Sequence, residues 1–458
     1  MTLPLPAPHP PLAPEDHVLI VGAGFSGTLL AANLVRFGGP RVTLVERMPA
    51  QLGRGVAYSA EQASQLLNVR AAGMSAYPDD LGHFARWAAG QGAAADGFVA
   101  RAAYGRYLIE TLLAARESAG DRLTLVTGEV VALDGPCAVL ADGTRIAADA
   151  AVLTLGNLPP HDPPGLAPDA LPEGVFVSDP WSGRIAEGLG ADDTVVLIGT
   201  GLTAIDVILK LADRGFAGRI LAMSRRGLAP RRHVDGGAPP AGLLNPPEGA
   251  LSALTRDVRR TAGEGSWRAA VDALRPVTQR WWARADRDTR RRFLRHLRPF
   301  WDVHRHRLAP QVADRIDALV ARGQLTFAAG KIVGAEPDGT AAALRWRPRG
   351  AEAPATVRAA RIVNCTGPQG DIRRSDEPLL RGLLAAGRIR PDALNLGIEV
   401  DPQSRVVAAD GTADPALYCV GPMTRGSFWE IVAVPDIRRQ CADLARRLAN
   451  AGWVAEGL

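Results

Sequence analysis

His17-Val-Leu-Ile-Val-Gly-Ala-Gly-Phe-Ser-Gly27 runs a short apolar stretch into a Gly-x-Gly-x-x-Gly turn, and an apolar helix pattern then leads to a second strand, Arg41-Val-Thr-Leu-Val-Glu46. This order of strand, glycine turn, helix and strand is the dinucleotide-binding βαβ fingerprint. Gly22 permits the tight turn, Gly24 lets the backbone approach a pyrophosphate, and Gly27 has no side chain to hold the helix off the strand. The start of the helix offers unpaired N–H groups and the positive end of its dipole to phosphate. Glu46 closes the second strand, where a carboxylate accepts hydrogen bonds from ribose hydroxyls.

The design occurs twice. Thr194-Val-Val-Leu-Ile-Gly-Thr-Gly-Leu-Thr-Ala204 repeats it with Gly199, Gly201 and Ala204, the third position needing only a small residue. The following strand, Gly218-Arg-Ile-Leu-Ala-Met-Ser224, ends without an acid and continues into Arg225-Arg226. Two guanidiniums in place of a carboxylate suit a 2′-phosphate and favour NADPH over NADH, with NADH use still compatible with the fold. After each motif come short strands with Asp-Gly turns, at Asp134-Gly135, Asp142-Gly143 and Asp338-Gly339, which read as β-meanders. Each such segment ends in a buried strand and a threonine-glycine corner, Ala151-Val-Leu-Thr-Leu-Gly-Asn157 and Arg361-Ile-Val-Asn-Cys-Thr-Gly-Pro368.

With 458 residues, 47% of them hydrophobic and 22% charged, the chain has material for two or three globular domains. No apolar run reaches the ~18 residues that a membrane-spanning helix needs, so no membrane partner is expected. The first sixteen residues are proline-rich, with neither a basic start nor a long apolar core, and read as a disordered tail rather than a signal peptide, which makes a cytoplasmic location the expectation. Cys137, Cys365, Cys419 and Cys441 are scattered, which argues against a disulfide framework, a dithiol redox centre and a zinc site.

The fold class expected is α/β, with two Rossmann-like dinucleotide-binding domains carrying β-meanders and a helical insertion. Residues 17–165 and 355–458 are assigned to a discontinuous first domain, and 179–354 to the second, with the insertion at about 245–320. The proline-rich stretch Gly156-Asn-Leu-Pro-Pro-His-Asp-Pro-Pro-Gly165 reads as the boundary, and residues 236–249 as a Pro/Gly-rich loop. Between Arg256 and Arg307 stand fifteen arginines and six acids, a local charge of +9 that leaves −4 for the rest of a +5 chain. With only Lys210 and Lys331 as lysines, arginine supplies the surface charge, and these helices read as solvated on one face. Trp267, Trp281, Trp282 and Trp301 are expected to fill the seams rather than bind nucleic acid. His304 and His306, at i and i+2, point to different sides of a helix and are not expected to bind metal.

Gly53-Arg-Gly-Val-Ala-Tyr-Ser59, Leu66-Leu-Asn-Val-Arg70, Gly73-Met-Ser-Ala-Tyr-Pro-Asp-Asp80 and Phe428-Trp-Glu-Ile-Val-Ala-Val-Pro-Asp436, taken with the two glycine motifs, resemble a bacterial FAD/NAD(P)-binding flavoprotein family that includes an FAD-dependent urate hydroxylase. The resemblance implies FAD at Gly22, Gly24, Gly27 and Glu46, and NADPH or NADH at Gly199, Gly201, Ala204, Arg225 and Arg226. It also brings the segments of Tyr58 and Asn68 to the flavin ring, which makes these two the candidate catalytic residues and Asn68 a cofactor contact, though Asn68 also reads as a turn residue. In related flavoproteins the C-terminal segment returns to the flavin; here Gly421 is followed by proline rather than an acid. Phe176-Val-Ser-Asp-Pro-Trp181 lacks the histidine of the signature carried by N-hydroxylating and Baeyer–Villiger monooxygenases, a departure from those groups.

The resulting expectation is an FAD-dependent, NAD(P)H-consuming monooxygenase that takes dioxygen and a small molecule, with urate to 5-hydroxyisourate as the sharpest substrate reading. Two alternatives stand beside it: an NAD(P)H-dependent flavin oxidoreductase without oxygen insertion, and a non-catalytic FAD-bound interaction protein. Oligomeric state is not legible in the sequence.

Overall fold

The computed structural model describes residues 12–59, 62, 64–94, 96–234, 250–264 and 266–451. Residues 1–11 of the expected tail and the proline/glycine-rich loop at 236–249 lie outside the described residues. The chain forms two compact units, one from Met1–Glu61, Val69–Asn157 and Gly370–Leu458, the other from Gln62–Asn68 and Leu158–Gln369.

The first unit opens with β1 (His17–Val21), α1 (Phe25–Arg36) and β2 (Arg41–Glu46). Strand β1 is apolar after His17, and Val18, Leu19 and Ile20 are wholly buried, as a strand covered on both faces requires. The chain continues through α2 (His83–Gly90) and α3 (Arg101–Ala119) to β3 (Leu123–Thr127). A meander follows, of β4 (Val130–Asp134), β5 (Cys137–Leu140) and β6 (Arg145–Ile146), and then β7 (Ala150–Leu153). Strands β2 and β7 flank β1, all three parallel, so the carboxyl ends of β1 and β7 come together at the first glycine turn.

The second unit takes β8 (Phe176–Val177), β9 (Thr194–Ile198), α4 (Leu202–Asp213) and β10 (Arg219–Ser224). The helical insertion comprises α5 (Leu251–Glu264), α6 (Trp267–Arg284), α7 (Arg287–Arg292), a π-helical turn at Phe293–Leu297 and α8 (Arg298–Arg305). Helix α9 (Pro310–Ala321) leads into β11 (Leu325–Asp338), β12 (Ala341–Pro348), β13 (Ala355–Ala359) and β14 (Arg361–Asn364). These make one seven-stranded sheet in the order β13-β12-β11-β10-β9-β14-β8. The chain then returns to the first unit with α10 (Pro378–Ala385), β15 (Arg405–Val407), β16 (Ala413–Cys419) and α11 (Val434–Leu448). Strand β16 joins β7, completing a six-stranded sheet in the order β15-β16-β7-β1-β2-β3.

Three expected boundaries change. Residues 355–369 belong to the second unit, because β13 pairs with β12 and β14 lies parallel to β9, so the chain leaves only after finishing that sheet. The stretch 158–165 goes with it, since Leu158 bridges to Gln369. Residues 12–16 are not tail: the Arg41 amide donates to the Asp16 carbonyl at 2.9 Å, and the Asp16 carboxylate accepts from the Ala13 amide at 2.7 Å. The excursion of 62–68 into the second unit has no counterpart in the sequence reading. Its Ser64 hydroxyl bonds Asp213, and its Asn68 carbonyl lies 3.0 Å from His233 Nε2.

In the helical insertion Trp282 is fully buried, with Trp281 and Phe293 packed beside it at ring-centroid distances of 6.5 and 6.1 Å. Arg307 is buried and makes two bonds to the Asp272 carboxylate, at 2.8 and 2.9 Å. The His304 ring stands edge-on to Trp267, a packed histidine. Among the described residues no helix is long and apolar enough to cross a membrane, and no cluster of three or more His, Cys, Asp or Glu side chains is arranged to hold a metal.

Candidate functional site

At the first glycine turn Gly22 has φ +102°, a conformation costly for any residue with a side chain, and a Cβ there would stand 2.7 Å from the Thr154 carbonyl oxygen. A Cβ on Gly27 would stand 2.0 Å from the Gly22 carbonyl oxygen, so the helix and the strand touch backbone to backbone. Thr154, one residue beyond β7, locks the turn: its Oγ1 lies 2.5 Å from Gly22 O and 2.9 Å from Val21 O. Helix α1 has Gly24 at its N-cap, so no side chain caps it, and there is no acid in its first turn. Its leading N–H groups and positive dipole end are therefore left for an anion.

Two further segments close on this turn. Gly55 lies so near that a Cβ on Gly24 would be 3.3 Å from its Cα; the Gly53 amide donates to Ala23 O at 2.8 Å, and the buried Thr28 hydroxyl donates to Gly53 O at 3.1 Å. From the C-terminal part, Gly421 comes against Ser26, where a Cβ would be 2.5 Å from the serine oxygen. Its amide donates to Gln440 Oε1 on α11 at 2.8 Å. Trp429 and Glu430, just before α11, are buried.

Glu46 is buried, and both its oxygens accept backbone N–H groups, Oε2 from Ala23 at 2.9 Å and Oε1 from Met48 at 3.0 Å. Each carboxylate oxygen has lone pairs beyond those bonds with which to accept a ribose hydroxyl. The residues of the turn thus fit a dinucleotide: a cradle that a Cβ would fill, an uncapped helix start and a fixed acceptor at the end of β2.

Tyr58 stays in the first unit, its ring 5.6 Å from Phe25 of the glycine turn and 4.7 Å from Tyr104. Burial pushes its hydroxyl pKa up to about 12, against a weaker opposing pull from Arg101. Asn68 belongs to the second unit and is half-buried. The two candidate catalytic residues therefore sit in different units.

The second turn is built on the same plan. Gly199 has φ +128°, and a Cβ would meet the Cys365 carbonyl oxygen at 2.1 Å, so the residue after β14 plays the part that Thr154 plays after β7. Helix α4 starts at Gly201 with no capping side chain, a Cβ on Gly201 would meet nothing within 4 Å, and Ala204 is fully buried against the strand side. At the end of β10, Ser224 occupies the position equivalent to Glu46. Its Oγ accepts from Gly227 N at 3.0 Å and lies 2.9 Å from Thr200 Oγ1, which is 2.6 Å from Leu228 O. Arg225 is exposed; Arg226 is half-buried with its guanidinium 4.9 Å from the centre of the Phe300 ring.

Cys365, Cys419 and Cys441 are buried free thiols, and burial pushes the pKa of each far up, which keeps them as inert core residues. Gly55 and Phe300 were not singled out from the sequence and carry no local signal. Thr154 lay in the threonine-glycine corner, and Gly421 entered only through the family resemblance, which returns the C-terminal segment to the flavin.

Residues 19–158 match the model of a family described as FAD-NAD(P)-binding, and this part of the chain is an FAD/NAD(P)-binding domain. A search of curated proteins gives no significant match. Among solved structures, the fold is similar to L-lysine 6-monooxygenase from Pseudomonas syringae, with TM-score 0.63 and 17% identity. It is similar also to ornithine hydroxylase from Pseudomonas aeruginosa (0.61, 14%) and to the ornithine N-hydroxylase of Kutzneria sp. 744 with reduced FAD, NADP+ and L-ornithine (0.60, 14%). Each likeness covers 95% of this chain and 99% of the other, so the fold is shared along the whole length.

Proposed function

We propose that the protein is an FAD-dependent, NAD(P)H-consuming monooxygenase acting on a small molecule. The observation that carries this reading is the pair of glycine turns with opposite endings, a buried carboxylate at Glu46 and an arginine pair after Ser224. Similarity along the whole chain to an ornithine N-hydroxylase described with reduced FAD and NADP+ and to a lysine monooxygenase supports it. FAD, once bound, supplies hydride acceptance from the nicotinamide and activation of dioxygen.

The chain's own residues bind and orient. Gly22, Gly24 and Gly27 let the pyrophosphate reach the start of α1, and Glu46 accepts the adenosine ribose hydroxyls. Gly199, Gly201 and Ala204 do the same for NAD(P)H at α4, with Arg225 and Arg226 facing its adenosine end. Asn68 carries an amide donor and a carbonyl acceptor, and the Tyr58 hydroxyl, its pKa raised to about 12, keeps its proton at neutral pH. Three of the thiols are buried and unactivated, which favours redox chemistry on the cofactors rather than on a cysteine pair.

On the family resemblance we assign urate as the substrate, giving 5-hydroxyisourate. A second reading, N-hydroxylation of an amino-acid side-chain amine, is favoured by the ornithine and lysine enzymes that share the fold. The test is NADPH and NADH oxidation with oxygen uptake by the FAD-loaded protein, given urate, L-ornithine or L-lysine in turn. Urate consumption matched by oxygen uptake supports the first reading, and formation of a hydroxylamine from either amine supports the second. NAD(P)H oxidation that reduces a quinone or dye without substrate-coupled oxygen uptake makes it a flavin oxidoreductase. A protein that holds FAD yet oxidises no NAD(P)H with any acceptor is an FAD-bound interaction protein.

A further inference from the structure

The two arginines after β10 are held differently. Arg225 projects from the surface, whereas the Arg226 guanidinium lies 4.9 Å from the centre of the Phe300 ring. Phe300 comes from α8 of the helical insertion and keeps 40% of its surface exposed, while its helix neighbour Trp301 packs towards Phe293, 6.5 Å between ring centres. An aromatic ring left open and paired with a guanidinium marks a flat, partly apolar, positively charged face.

Its position relative to the second glycine turn gives that face an occupant. Strands β9 and β10 are parallel neighbours, with Ile198 opposite Met223, so Gly199–Gly201 and Ser224–Arg226 emerge side by side at their carboxyl ends. A dinucleotide with its phosphates at the start of α4 extends its adenosine across the end of β10.

We propose that Arg226 and Phe300 together form a platform for the adenine ring of NAD(P)H, and that Arg225 reads the 2′-phosphate. The inference rests on the assignment of the second motif to the nicotinamide nucleotide. A guanidinium is planar and weakly hydrated, so it stacks on an aromatic face on one side and on a purine on the other. Contact with the Phe300 ring restricts the Arg226 guanidinium before the nucleotide arrives, which lowers the ordering cost of binding. Arg225 is free of that constraint and can turn its fork to phosphate. The helical insertion thereby becomes part of the nucleotide site through a single residue.

The test uses the FAD-loaded full chain and titrates 2′,5′-ADP and 5′-AMP by calorimetry, so that adenine and 2′-phosphate recognition are read separately. Phe300→Ala and Phe300→Leu weaken both ligands by about three- to tenfold, because Arg226 loses the ring that orders it, and leave their affinity ratio unchanged. Phe300→Tyr retains the wild-type affinities. Arg225→Gln brings the two affinities together, and Arg226→Gln weakens both ligands. Unchanged affinities in Phe300→Leu overturn the platform, as does a loss confined to 2′,5′-ADP. If the wild-type protein binds neither ligand while retaining FAD, the nucleotide assignment of the second motif falls and takes the platform with it.

Discussion

The carboxylate of Glu46 accepts a hydrogen bond from the Ala23 amide at 2.9 Å, so the residue at the end of β2 also holds the middle of the first glycine turn. The acid proposed to bind ribose is thus a structural part of the phosphate loop, and the two halves of an FAD site are set by one side chain. Glu46→Ala leaves the Ala23 and Met48 amides without their partner and removes the ribose acceptor. With hydrogen bonds to a charged group each worth about 1.5–3 kcal/mol, FAD affinity is expected to fall at least about tenfold. Flavin fluorescence titration of the cofactor-stripped protein checks this, and an unchanged affinity removes Glu46 from the site.

Glycines at corresponding places in a turn carry different burdens. Gly199→Ala drives a Cβ to within 2.1 Å of the Cys365 carbonyl at a positive φ, and is expected to cost about 3 kcal/mol or more of stability. Gly201→Ala meets open space, so its stability is expected to stay within about 0.5 kcal/mol of wild type. Because the added methyl faces where the pyrophosphate would lie, NAD(P)H affinity is nonetheless expected to drop. Thermal melts set beside nucleotide titrations separate the two effects; intact nucleotide binding in Gly201→Ala would argue that the phosphates lie elsewhere.

Acidification is expected to destabilise the first unit through His83. Its folded pKa lies below the ordinary 6.5, chiefly from burial, with Arg86 and Arg36 adding to the shift and Asp80 opposing it. The Ala76 amide donates to the Tyr107 hydroxyl at 3.0 Å, and that hydroxyl lies 2.8 Å from His83 Nδ1. Since the unfolded chain takes up the proton first, stability is whole above pH 6.5 and is lost as the pH falls from there through the folded pKa. Melting temperatures between pH 8 and pH 5 should decline in the wild type and less steeply in His83→Phe; parallel curves would sink the assignment.

Removing Asp272 is expected to cost about 3 kcal/mol, since it leaves the Arg307 guanidinium, whose side chain is 6% exposed, without its counter-charge and with only carbonyl acceptors. Glu336→Ala breaks an ion pair with Arg345 whose side chains are 70% and 50% exposed, and is expected to change stability by less than about 0.5 kcal/mol. Urea unfolding of the two variants tests the contrast. Equal losses would mean that the Arg307 pair is not what anchors the insertion.

Both glycine turns, their helices and the strands beside them were legible because their causes lie within about thirty residues. A positive φ at Gly22 or Gly199, an apolar strand before it and an uncapped helix after it are all local demands on residue type. The Asp-Gly turns were legible for the same reason. Where the second unit ends was not, because β14 finds its place by pairing with β9, and nothing in Arg361–Asn364 says which strand it will join. Nor could the sequence show that 62–68 leaves one unit for the other, or that Asn68 and Tyr58, ten positions apart, end in different units.

By itself the sequence determined that two dinucleotide-type turns exist and that one ends in an acid and the other in arginines. Only the tertiary structure decided what closes on them: Thr154 over Gly22, Gly55 against Gly24, Gly421 against Ser26 and Phe300 beneath Arg226. The reason is physical. A turn is selected by the steric limits of its own backbone, whereas its neighbours are selected by packing between segments far apart in the chain, and that packing leaves no period or spacing in the sequence to read.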